Sequence, residues 1–407
     1  MKCGLLGGKL GHSYSPQIHS YLGDYSYDLY EKKPEELESF LLHGDFSGLN
    51  VTIPYKKAVI AYCDVLSERA QKLSAVNTIV RRADGSLVGH NTDYFGFSSM
   101  LQMSGLRVEG KEVLVLGSGG ASATAVAVLK ELGADVFVIS RSGEHNYQNL
   151  YLHKNASLIV NSTPVGMYPN VGVSAVDLSL FSHLEGVLDV VYNPARTQLL
   201  LDAESRGLVA MNGLWMLVAQ AKESAEWFTG RKIPETIIAE IHRKLRTQME
   251  NTILIGMPGC GKSTIGKLVS QILNKRFVDA DEVIAKTAGM SIPEIFSTSG
   301  ETGFRNIETQ VLRQLGMQSG LVIATGGGCV TRDENYSLLH QNGTIYWLKR
   351  AISFLPTDGR PLSQKNSLTQ MYDIRKPMYQ KFADHIILNN DNADNAASAI
   401  AEKEMIL

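Results

Sequence analysis

A glycine-rich segment beyond the middle of the chain has the residue types and spacing that bind phosphate. Residues 256–264 read GMPGCGKST, which fits G-x-x-x-x-G-K-[ST], and they follow the apolar run Thr252 to Ile255. In such a loop backbone N–H groups point at phosphate oxygens, the lysine adds positive charge and the next hydroxyl can ligate Mg²⁺. We therefore predict a strand, a nucleotide-binding loop and a helix. The residues expected to bind ATP are Gly256, Gly259, Gly261, Lys262, Ser263 and Thr264, with Ser263 also a ligand of Mg²⁺.

Two carboxylates and a run of glycines follow this loop. FVDAD at 277–281 ends a predicted strand, so that the alternate residues Asp279 and Asp281 project the same way. Of two carboxylates at one strand end, one can ligate a metal ion and the other can act as a base. TGGGCV at 325–330 ends another apolar strand, and its three consecutive glycines admit close backbone approach by a ligand. Both segments are therefore candidate parts of a ligand site.

Three arginines complete the set of groups suited to phosphoryl transfer. Arg305 lies three residues before Glu308 on a predicted helix, Arg360 stands in GRPL, and Arg375 stands in IRKPMY. Phosphoryl transfer depends on positioning and charge neutralisation, and an anionic acceptor needs arginines of its own. Each arginine alone would read as a solvated surface charge. The whole spaced set is far more specific than the glycine-rich loop.

Taken together, these motifs resemble shikimate kinase, a small kinase of the nucleoside-monophosphate-kinase type, over essentially all of residues 251–407. The resemblance implies that Asp281 binds a substrate hydroxyl and acts as its base, and that Asp279 reaches Mg²⁺ through water. It further implies the following acceptor and lid residues: Arg305 and Arg375 on the shikimate carboxylate, Gly326, Gly327 and Gly328 in the same pocket, and Arg360 over the γ-phosphate. The interval between Trp347 and Gly359 is short for the helix and lid of that family, so a catalytically silent binding module stays an alternative.

A second glycine-rich turn lies earlier in the chain. Residues 112–142 read as a strand, the turn GSGGAS, an amphipathic helix and another strand, which is a βαβ unit. Where an acidic residue would hold the ribose of NAD, the second strand ends in Ser140-Arg141-Ser142, and an arginine there suits the 2′-phosphate of NADP(H). Asn161-Ser-Thr163 follows the next strand and is positioned to meet the same cofactor. The predicted NADP(H)-binding residues are Gly117, Gly119, Gly120, Ala121 and Arg141.

Polar residues end the apolar runs in front of this unit. They stand in GHSYSP, LNVTIPYK, AVNT and GHNTD, and the candidates are Ser13, Ser15, Thr52, Lys56, Asn77 and Asp93. Hydroxyls, amides, a lysine and a carboxylate are what a polyhydroxylated acid requires, and a Lys/Asp pair can exchange the proton that accompanies hydride transfer. Most of these residue types are also common helix caps and turn residues, which is the ordinary alternative.

In combination, residues 3 to about 249 resemble shikimate dehydrogenase, and the match includes VYNPARTQLL at 191–200 and NGLWMLVAQA at 212–221. The resemblance implies that Lys56 is the catalytic acid and base, oriented beside Asp93. It also implies a substrate-binding set of Ser13, Ser15, Thr52, Asn77, Asp93, Tyr192 and Gln220, with Tyr192 at the junction of substrate and nicotinamide. The resemblance also implies the fold, in which a substrate domain and a dinucleotide domain lie on the two sides of a cleft. Helices at the end of this part of the chain complete the substrate domain.

The elements that must position these residues alternate between strands and helices, so we predict an α/β protein. Three parts are expected: a substrate domain over 1–100 and 211–249, a Rossmann NADP-binding domain over 101–210, and a parallel-sheet P-loop domain of the nucleoside-monophosphate-kinase type over 250–407. A bifunctional enzyme follows, reducing 3-dehydroshikimate with NADPH and phosphorylating the shikimate formed with ATP and Mg²⁺. Action on quinate or with NAD⁺ is the alternative for the first half.

Composition limits the kinds of partner and compartment. The chain has 407 residues, 44% of them hydrophobic, with a net charge of −2 at pH 7, which disfavours a nucleic-acid footprint or attraction to anionic membranes. Its four cysteines form no C-x-x-C pair, so we expect neither a zinc site nor a disulfide framework. We expect a reduced, cytoplasmic protein with small-molecule partners, 3-dehydroshikimate and shikimate. Its oligomeric state is left open.

Overall fold

The computed structural model describes residues 1–11, 13–355 and 368–406. They form two compact units. The first unit consists of Met1–Val165, Ser174–Tyr192 and Asp202–His242, and the second of the described residues of Gly166–Val173, Asn193–Leu201 and Arg243–Leu407. No helix in the described part of the chain combines the length and apolar character that crossing a bilayer requires.

The first unit begins with a six-stranded mixed sheet of order β2-β1-β3-β5-β6-β4. Its strands are β1 (Lys2–Gly7), β2 (Ser26–Glu31), β3 (Gly48–Val51), β4 (Val65–Leu66), β5 (Thr78–Arg81) and β6 (Leu87–His90). β5 runs antiparallel to both β3 and β6, while the other pairs are parallel. The helices around it are α1 (Ser15–Ser20), α2 (Leu37–His43), α3 (Glu68–Leu73) and α4 (Asp93–Ser104). β1 and β3 are buried apolar runs of the sequence, and four of the polar candidate residues follow their carboxyl ends, namely Ser13, Ser15, Thr52 and Lys56.

A five-stranded parallel sheet of order β11-β10-β9-β7-β8 forms the rest of the first unit. The strands are β7 (Glu112–Leu116), β8 (Asp135–Ile139), β9 (Leu158–Asn161), β10 (Gly186–Asp189) and β11 (Val209–Met211). The helices are α5 (Gly120–Glu131), α6 (Gln198–Ser205), whose first residues belong to the second unit, α7 (Leu214–Thr229), and α8 (Thr236–Met249), which runs on into the second unit. The strand order reverses between β7 and β9. Ligands of open α/β sheets bind outside the carboxyl ends of strands at such a switch point.

α7 packs closely against α4 in the first unit. A Cβ atom on Gly96 would lie 2.8 Å from the Met216 carbonyl oxygen and 3.0 Å from Cβ of Gln220. Only glycine permits this approach, so the absence of a side chain at residue 96 positions Gln220 near the start of α4.

The second unit is built on a five-stranded parallel sheet of order β13-β14-β12-β15-β16. The strands are β12 (Asn251–Ile255), β13 (Arg276–Asp279), β14 (Leu321–Ala324), β15 (Gly343–Lys349) and β16 (His385–Leu388). The helices are α9 (Lys262–Leu273), α10 (Ala280–Ala288), α11 (Ile292–Gly316), α12 (Glu334–His340), α13 (Leu368–Phe382) and α14 (Ala393–Ile406). α11 is broken at Gly300, where φ is 66°. Short 3-10 turns within the described residues lie at Pro34–Glu36, Ala58–Tyr62, Leu150–His153, Leu178–Leu180, Cys329–Thr331 and Ile352–Phe354.

Two segments from earlier in the chain belong to the second unit. In the segment 193–201, the Arg196 amide donates to the Gln341 carbonyl oxygen at 2.7 Å, and the Ala195 amide donates to Oδ1 of Asn342 at 3.2 Å. The Arg196 guanidinium donates to the His340 carbonyl oxygen at 3.2 Å. The second unit is therefore not continuous in sequence.

Candidate active sites

The predicted substrate residues of the first unit surround one cavity of about 340 Å³. Ser13, Ser15, Thr52, Lys56, Asn77, Asp93, Tyr192 and Gln220 all line it. They come from the loop after β1 and the start of α1, the loop after β3, the residue before β5, the start of α4, the loop after β10, and α7. The cavity therefore brings together every residue of this set, although they are spread over more than two hundred positions of the sequence.

Lys56 and Asp93 form an ion pair inside this cavity. Nζ of Lys56 donates to Oδ2 of Asp93 at 2.5 Å, and the two side chains are 28% and 13% exposed. Asp93 is the first residue of α4, where the helix dipole favours a negative charge. A lysine held by a carboxylate at the edge of a cavity can donate a proton to a substrate oxygen and recover it afterwards.

Asn77 is held by a buried polar network. Its Oδ1 accepts from the Thr92 amide at 2.7 Å, and its Nδ2 donates to Oγ1 of Thr92 at 3.0 Å. The Thr78 hydroxyl is 2.9 Å from the Ser224 hydroxyl, and Thr92 is equally close to Ser224. These bonds fix the orientation of the Asn77 amide before any ligand arrives. Sequence analysis named Asn77 but missed Thr78, Thr92 and Ser224, because hydroxyls that hold another side chain carry no spacing signal.

Tyr192 lies at the inner wall of the cavity. Its ring meets that of Tyr14 edge to face, with 6.3 Å between centroids, and burial raises the pKa of its hydroxyl above the ordinary value. A neutral phenol results, which can donate or accept a hydrogen bond at a substrate.

The second glycine turn lies at the switch point of the parallel sheet. Gly117 has φ 103°, and a Cβ atom there would be 3.0 Å from Oγ of Ser162, which follows β9. Gly119 and Gly120 open α5, and nothing in the described structure lies within 4 Å of a Cβ atom built at either. Open space over the N-terminus of a twelve-residue helix fits the pyrophosphate of a dinucleotide.

Two further predicted residues extend this dinucleotide site. Ala121 borders the substrate cavity, so the start of α5 and the substrate residues share one space. Arg141 is exposed two residues after β8, and a cation at that strand end suits a 2′-phosphate. The described residues therefore fit NADP(H).

The second unit has a cavity of about 570 Å³ beside the phosphate loop. The predicted residues that line it are Gly259, Gly261, Lys262, Ser263, Thr264, Asp279, Asp281, Arg305, Gly326, Gly327, Gly328 and Arg375. Gly256 begins the loop and does not line the cavity, and Arg360 lies outside the described residues. Nucleotide-loop, carboxylate and arginine candidates thus converge on one space.

The phosphate loop has the backbone that its glycines predict. Gly256, Gly259 and Gly261 have φ of 144°, 81° and 96°, a region that favours glycine. Nζ of Lys262 donates to the carbonyl oxygens of Gly256 at 2.9 Å and Met257 at 3.1 Å, which holds its charge against the loop. The loop opens the twelve-residue helix α9, so its N–H groups and the helix dipole fit a polyphosphate.

Ser263 and Asp279 supply neighbouring oxygen ligands. Oγ of Ser263 donates to Oδ2 of Asp279 at 2.6 Å, and Oδ1 of Asp279 accepts from the Asp281 amide at 3.0 Å. A hydroxyl and a carboxylate at this separation are the oxygen donors that Mg²⁺ takes beside phosphates. The arrangement therefore fits Mg²⁺, and Asp281 lines the cavity beside it.

Arg305 is held by a buried carboxylate. Its Nη1 donates to Oε2 of Glu308 at 2.6 Å, and the two side chains are 6% and 0% exposed. Burial raises the pKa of Glu308, and the neighbouring Arg305 opposes this effect. A Cβ atom on Gly328 would lie 2.0 Å from Nη2 of Arg305, so a side chain there would displace the guanidinium from this position. Glu308 was noted in the sequence only by its spacing from Arg305.

Arg375 approaches the same glycines from α13. Its Nη1 donates to the Gly327 carbonyl oxygen at 3.1 Å, and the Tyr379 hydroxyl donates to that oxygen as well. An apolar wall that sequence analysis missed faces these arginines and includes Phe296 and Phe304, whose rings stack 4.7 Å apart. Two arginines beside an apolar wall suit a small carboxylate with a carbon ring.

Fold and sites together define a nicotinamide-dependent dehydrogenase of a hydroxy acid, followed by a P-loop kinase of a small acid. Comparison with known proteins finds a matching family for each of these two parts. Family models match at residues 5–79 (shikimate dehydrogenase substrate binding domain), 213–241 (shikimate 5′-dehydrogenase C-terminal domain) and 258–404 (shikimate kinase).

Relatives of the first part are similar over nearly their whole length. Shikimate dehydrogenase (NADP(+)) of Clostridium perfringens is 35% identical over 266 residues, which cover 60% of this chain and 97% of the relative. The structure of a chorismate mutase/shikimate 5-dehydrogenase fusion protein from Clostridium acetobutylicum is 37% identical, with a TM-score of 0.57 and coverage of 60% of this chain and 96% of that one. Shikimate 5-dehydrogenase from Thermus thermophilus in complex with NADP(H) and shikimate is 31% identical, with a TM-score of 0.55 and coverage of 60% and 99%.

The chain belongs to the shikimate dehydrogenase family and carries a shikimate kinase domain after it. Two enzymes of the shikimate pathway, a shikimate dehydrogenase (NADP⁺) and a shikimate kinase, are joined in one polypeptide. The predicted α/β fold, the fusion, both activities and the cofactors NADP, ATP and Mg²⁺ are confirmed at the level of these domains.

Proposed function

We propose that the chain handles one substrate oxygen twice, with the site residues named above in specific roles. The first reaction reduces the 3-carbonyl of 3-dehydroshikimate to the hydroxyl of shikimate. The second transfers a phosphoryl group to the hydroxyl just made. When bound, NADPH supplies the hydride of the first reaction and MgATP the phosphoryl group of the second. The reactions are consecutive, and linkage of the two enzymes raises local concentration.

In the first site Lys56 donates the proton that the developing alkoxide requires. Asp93 aims the Lys56 side chain through their 2.5 Å contact, which is the observation that carries this half of the proposal. Asn77, already oriented by Thr92, binds a substrate hydroxyl together with Gln220. The remaining binding residues are Ser13, Ser15, Thr52 and Tyr192. The dinucleotide is held by Gly117, Gly119, Gly120, Ala121 and Arg141.

In the second site Asp281 accepts the proton of the attacking hydroxyl. Arg305 and Arg375 bind the carboxylate of shikimate, and the 2.6 Å bond that Arg305 donates to Glu308 holds Arg305 in place. Gly326, Gly327 and Gly328 let the ring approach the backbone. Gly256, Gly259, Gly261, Lys262, Ser263 and Thr264 hold the nucleotide, while Ser263 and Asp279 orient Mg²⁺. The convergence of Asp281, Arg305 and Lys262 on one cavity carries this half of the proposal.

Two assays on the full chain with shikimate test these assignments. NADP⁺ reduction without ATP measures the first site, and shikimate-dependent ADP formation with MgATP measures the second. Lys56→Met is expected to remove only the first activity and Lys262→Met only the second. Retained NADP⁺ reduction in Lys56→Met, or retained kinase activity in Lys262→Met, would contradict the roles given to these lysines.

Two alternatives have their own readouts. Quinate in place of shikimate, and NAD⁺ in place of NADP⁺, test whether the first site prefers the related substrate or cofactor. A kinase half that only binds its ligands would give a calorimetric signal with ADP but no more ADP formation than Lys262→Met. The carboxylate and arginine set of the cavity favours turnover over mere binding.

A further inference from the structure

Arg350 is a second cation at the nucleotide loop that no motif predicted. It directly follows β15 and lines the cavity of the second unit with Lys262 and Ser263. Its Nε is buried, and no acceptor within the described residues reaches it. A buried guanidinium N–H without an acceptor is costly, because it has given up its hydrogen bonds to water and gained none in return. Such a group in a ligand cavity points to an acceptor that the ligand brings.

The sheet order places Arg350 on the β15 side of the phosphate loop. β12 carries the phosphate loop, β14 lies on one side of it and β15 on the other. Gly256 packs against the end of β15, since a Cβ atom there would be 2.6 Å from the Leu348 carbonyl oxygen. Asn389, which follows β16, donates to the Cys260 carbonyl oxygen at 2.6 Å. Arg350 therefore belongs to the loop's flank on the β15 and β16 side.

The groups assigned to the acceptor lie on the opposite flank. The three glycines come after β14, Asp279 is the last residue of β13 with Asp281 two positions later, and Arg375 donates to the Gly327 carbonyl oxygen. The carboxylates of the cavity are thus concentrated on that flank, together with Glu308. Among the described ion pairs, none joins Arg350 to a carboxylate. Its charge is left for an anion on the β15 side.

We propose that Arg350 is a nucleotide-binding residue that donates to a phosphate oxygen of ATP from the β15 side, opposite the acceptor arginines. The proposal rests on the kinase function proposed above. Nε and one Nη of a guanidinium form a planar fork that matches two oxygens of a phosphate, whereas a lysine offers a point charge. Arg350 thereby supplements Lys262, whose Nζ is also shared with two loop carbonyls.

The test compares Arg350→Gln, Arg350→Lys and the unmodified full chain. We expect Arg350→Gln to raise the KM for ATP and the Kd for ADP about tenfold or more, as the loss of a hydrogen bond to a charged group predicts. The KM for shikimate should stay within about twofold, and Arg350→Lys should be intermediate because it keeps charge without the fork. Dehydrogenase activity in the same chain checks that the preparation is folded outside the second unit.

Arg276→Gln is the matched control, because Arg276 lies at the start of β13, at the other end of the sheet, and bonds Gln318 at the surface. An ATP KM and ADP Kd unchanged in Arg350→Gln, or a rise in the shikimate KM instead, would overturn the proposal. Failure of the proposed kinase function is distinguishable: the unmodified chain would then form no ADP with shikimate, while the ADP titration would still report on Arg350. An equal effect of Lys and Gln would exclude the fork geometry.

Discussion

Glu223 makes the stability of the first unit depend on pH in a direction opposite to that of most carboxylates. This residue of α7 shares a groove of about 230 Å³ with Arg69, His90 and Trp227. Burial raises the pKa of Glu223 to about 7, although Arg69 lies 3.2 Å away and opposes the shift, as do Lys222 and Lys232, while Glu226 adds to it. Its side chain is only 16% exposed, so solvent screens the effect little.

The sign follows from the raised pKa. The folded state binds the proton more tightly than the unfolded state, so the contribution to stability is complete below the ordinary value of 4.5 and is lost as pH rises to about 7. A pKa difference of one unit corresponds to about 1.36 kcal/mol, so Glu223 should lower the free energy of unfolding by about 3 kcal/mol across this pH interval. Glu223→Gln keeps the neutral form at every pH and should remove this dependence.

Urea unfolding between pH 5 and pH 8 measures the effect. The chain has three tryptophans, and Trp347→Phe leaves only Trp215 and Trp227, both in the first unit, to report by fluorescence. The difference in unfolding free energy between the chain and its Glu223→Gln variant should change by about 2–3 kcal/mol over this range. Glu68→Gln, an exposed carboxylate at the same groove, is the control. Parallel pH profiles of unfolding free energy for Glu223→Gln and its parent would show that Glu223 does not cause this dependence.

Three other substitutions test the two active sites. Asp93→Asn should lower the dehydrogenase kcat by about 10²-fold or more, because it removes the charge that aims Lys56, and an unchanged kcat in the NADP⁺ reduction assay would contradict that role. Arg141→Ser should raise the KM for NADP⁺ about tenfold and leave that for NAD⁺ unchanged, and steady-state kinetics with both cofactors decides this. Glu308→Gln should raise the shikimate KM of the kinase by freeing Arg305, with the ATP KM as the internal control, and equal shifts of both would argue for general misfolding of the unit.

Much of the observed structure could be predicted from short contiguous stretches of sequence. The phosphate loop, the βαβ turn and the strand-end carboxylates are contiguous motifs whose backbone demands are met by particular residues, such as positive φ at Gly259 and Gly261. Lys56 and Asp93, 37 positions apart, were paired by their residue types and by the family resemblance, and no spacing rule indicated that they are in contact. Their placement in the structure agrees with the predicted roles, which stay predictions until the variants are assayed.

Groups defined by neighbours from other elements were not predictable in this way. Arg350 reads as one more surface arginine after a strand, and only the order of the strands places it beside the loop. Glu223 reads as a solvated helix residue, and its raised pKa results from burial against residues of α3 and β6. The Thr78, Thr92 and Ser224 hydroxyls likewise acquire their role from an amide on a different strand. Pairing of distant elements, which no single window of sequence contains, determines all three.

The segment 193–201 bears on how the two enzymes can be separated. A fragment beginning near residue 250 would lack this segment and would leave the Gln341 and His340 carbonyl oxygens and the Asn342 amide without the partners they have in the full chain. A fragment ending near residue 250 would retain the segment 193–201 but would lose residues 340–342, to which the segment is hydrogen-bonded. Truncation at the apparent boundary therefore damages both products, and inactivating substitutions in the intact polypeptide are the cleaner way to dissect it.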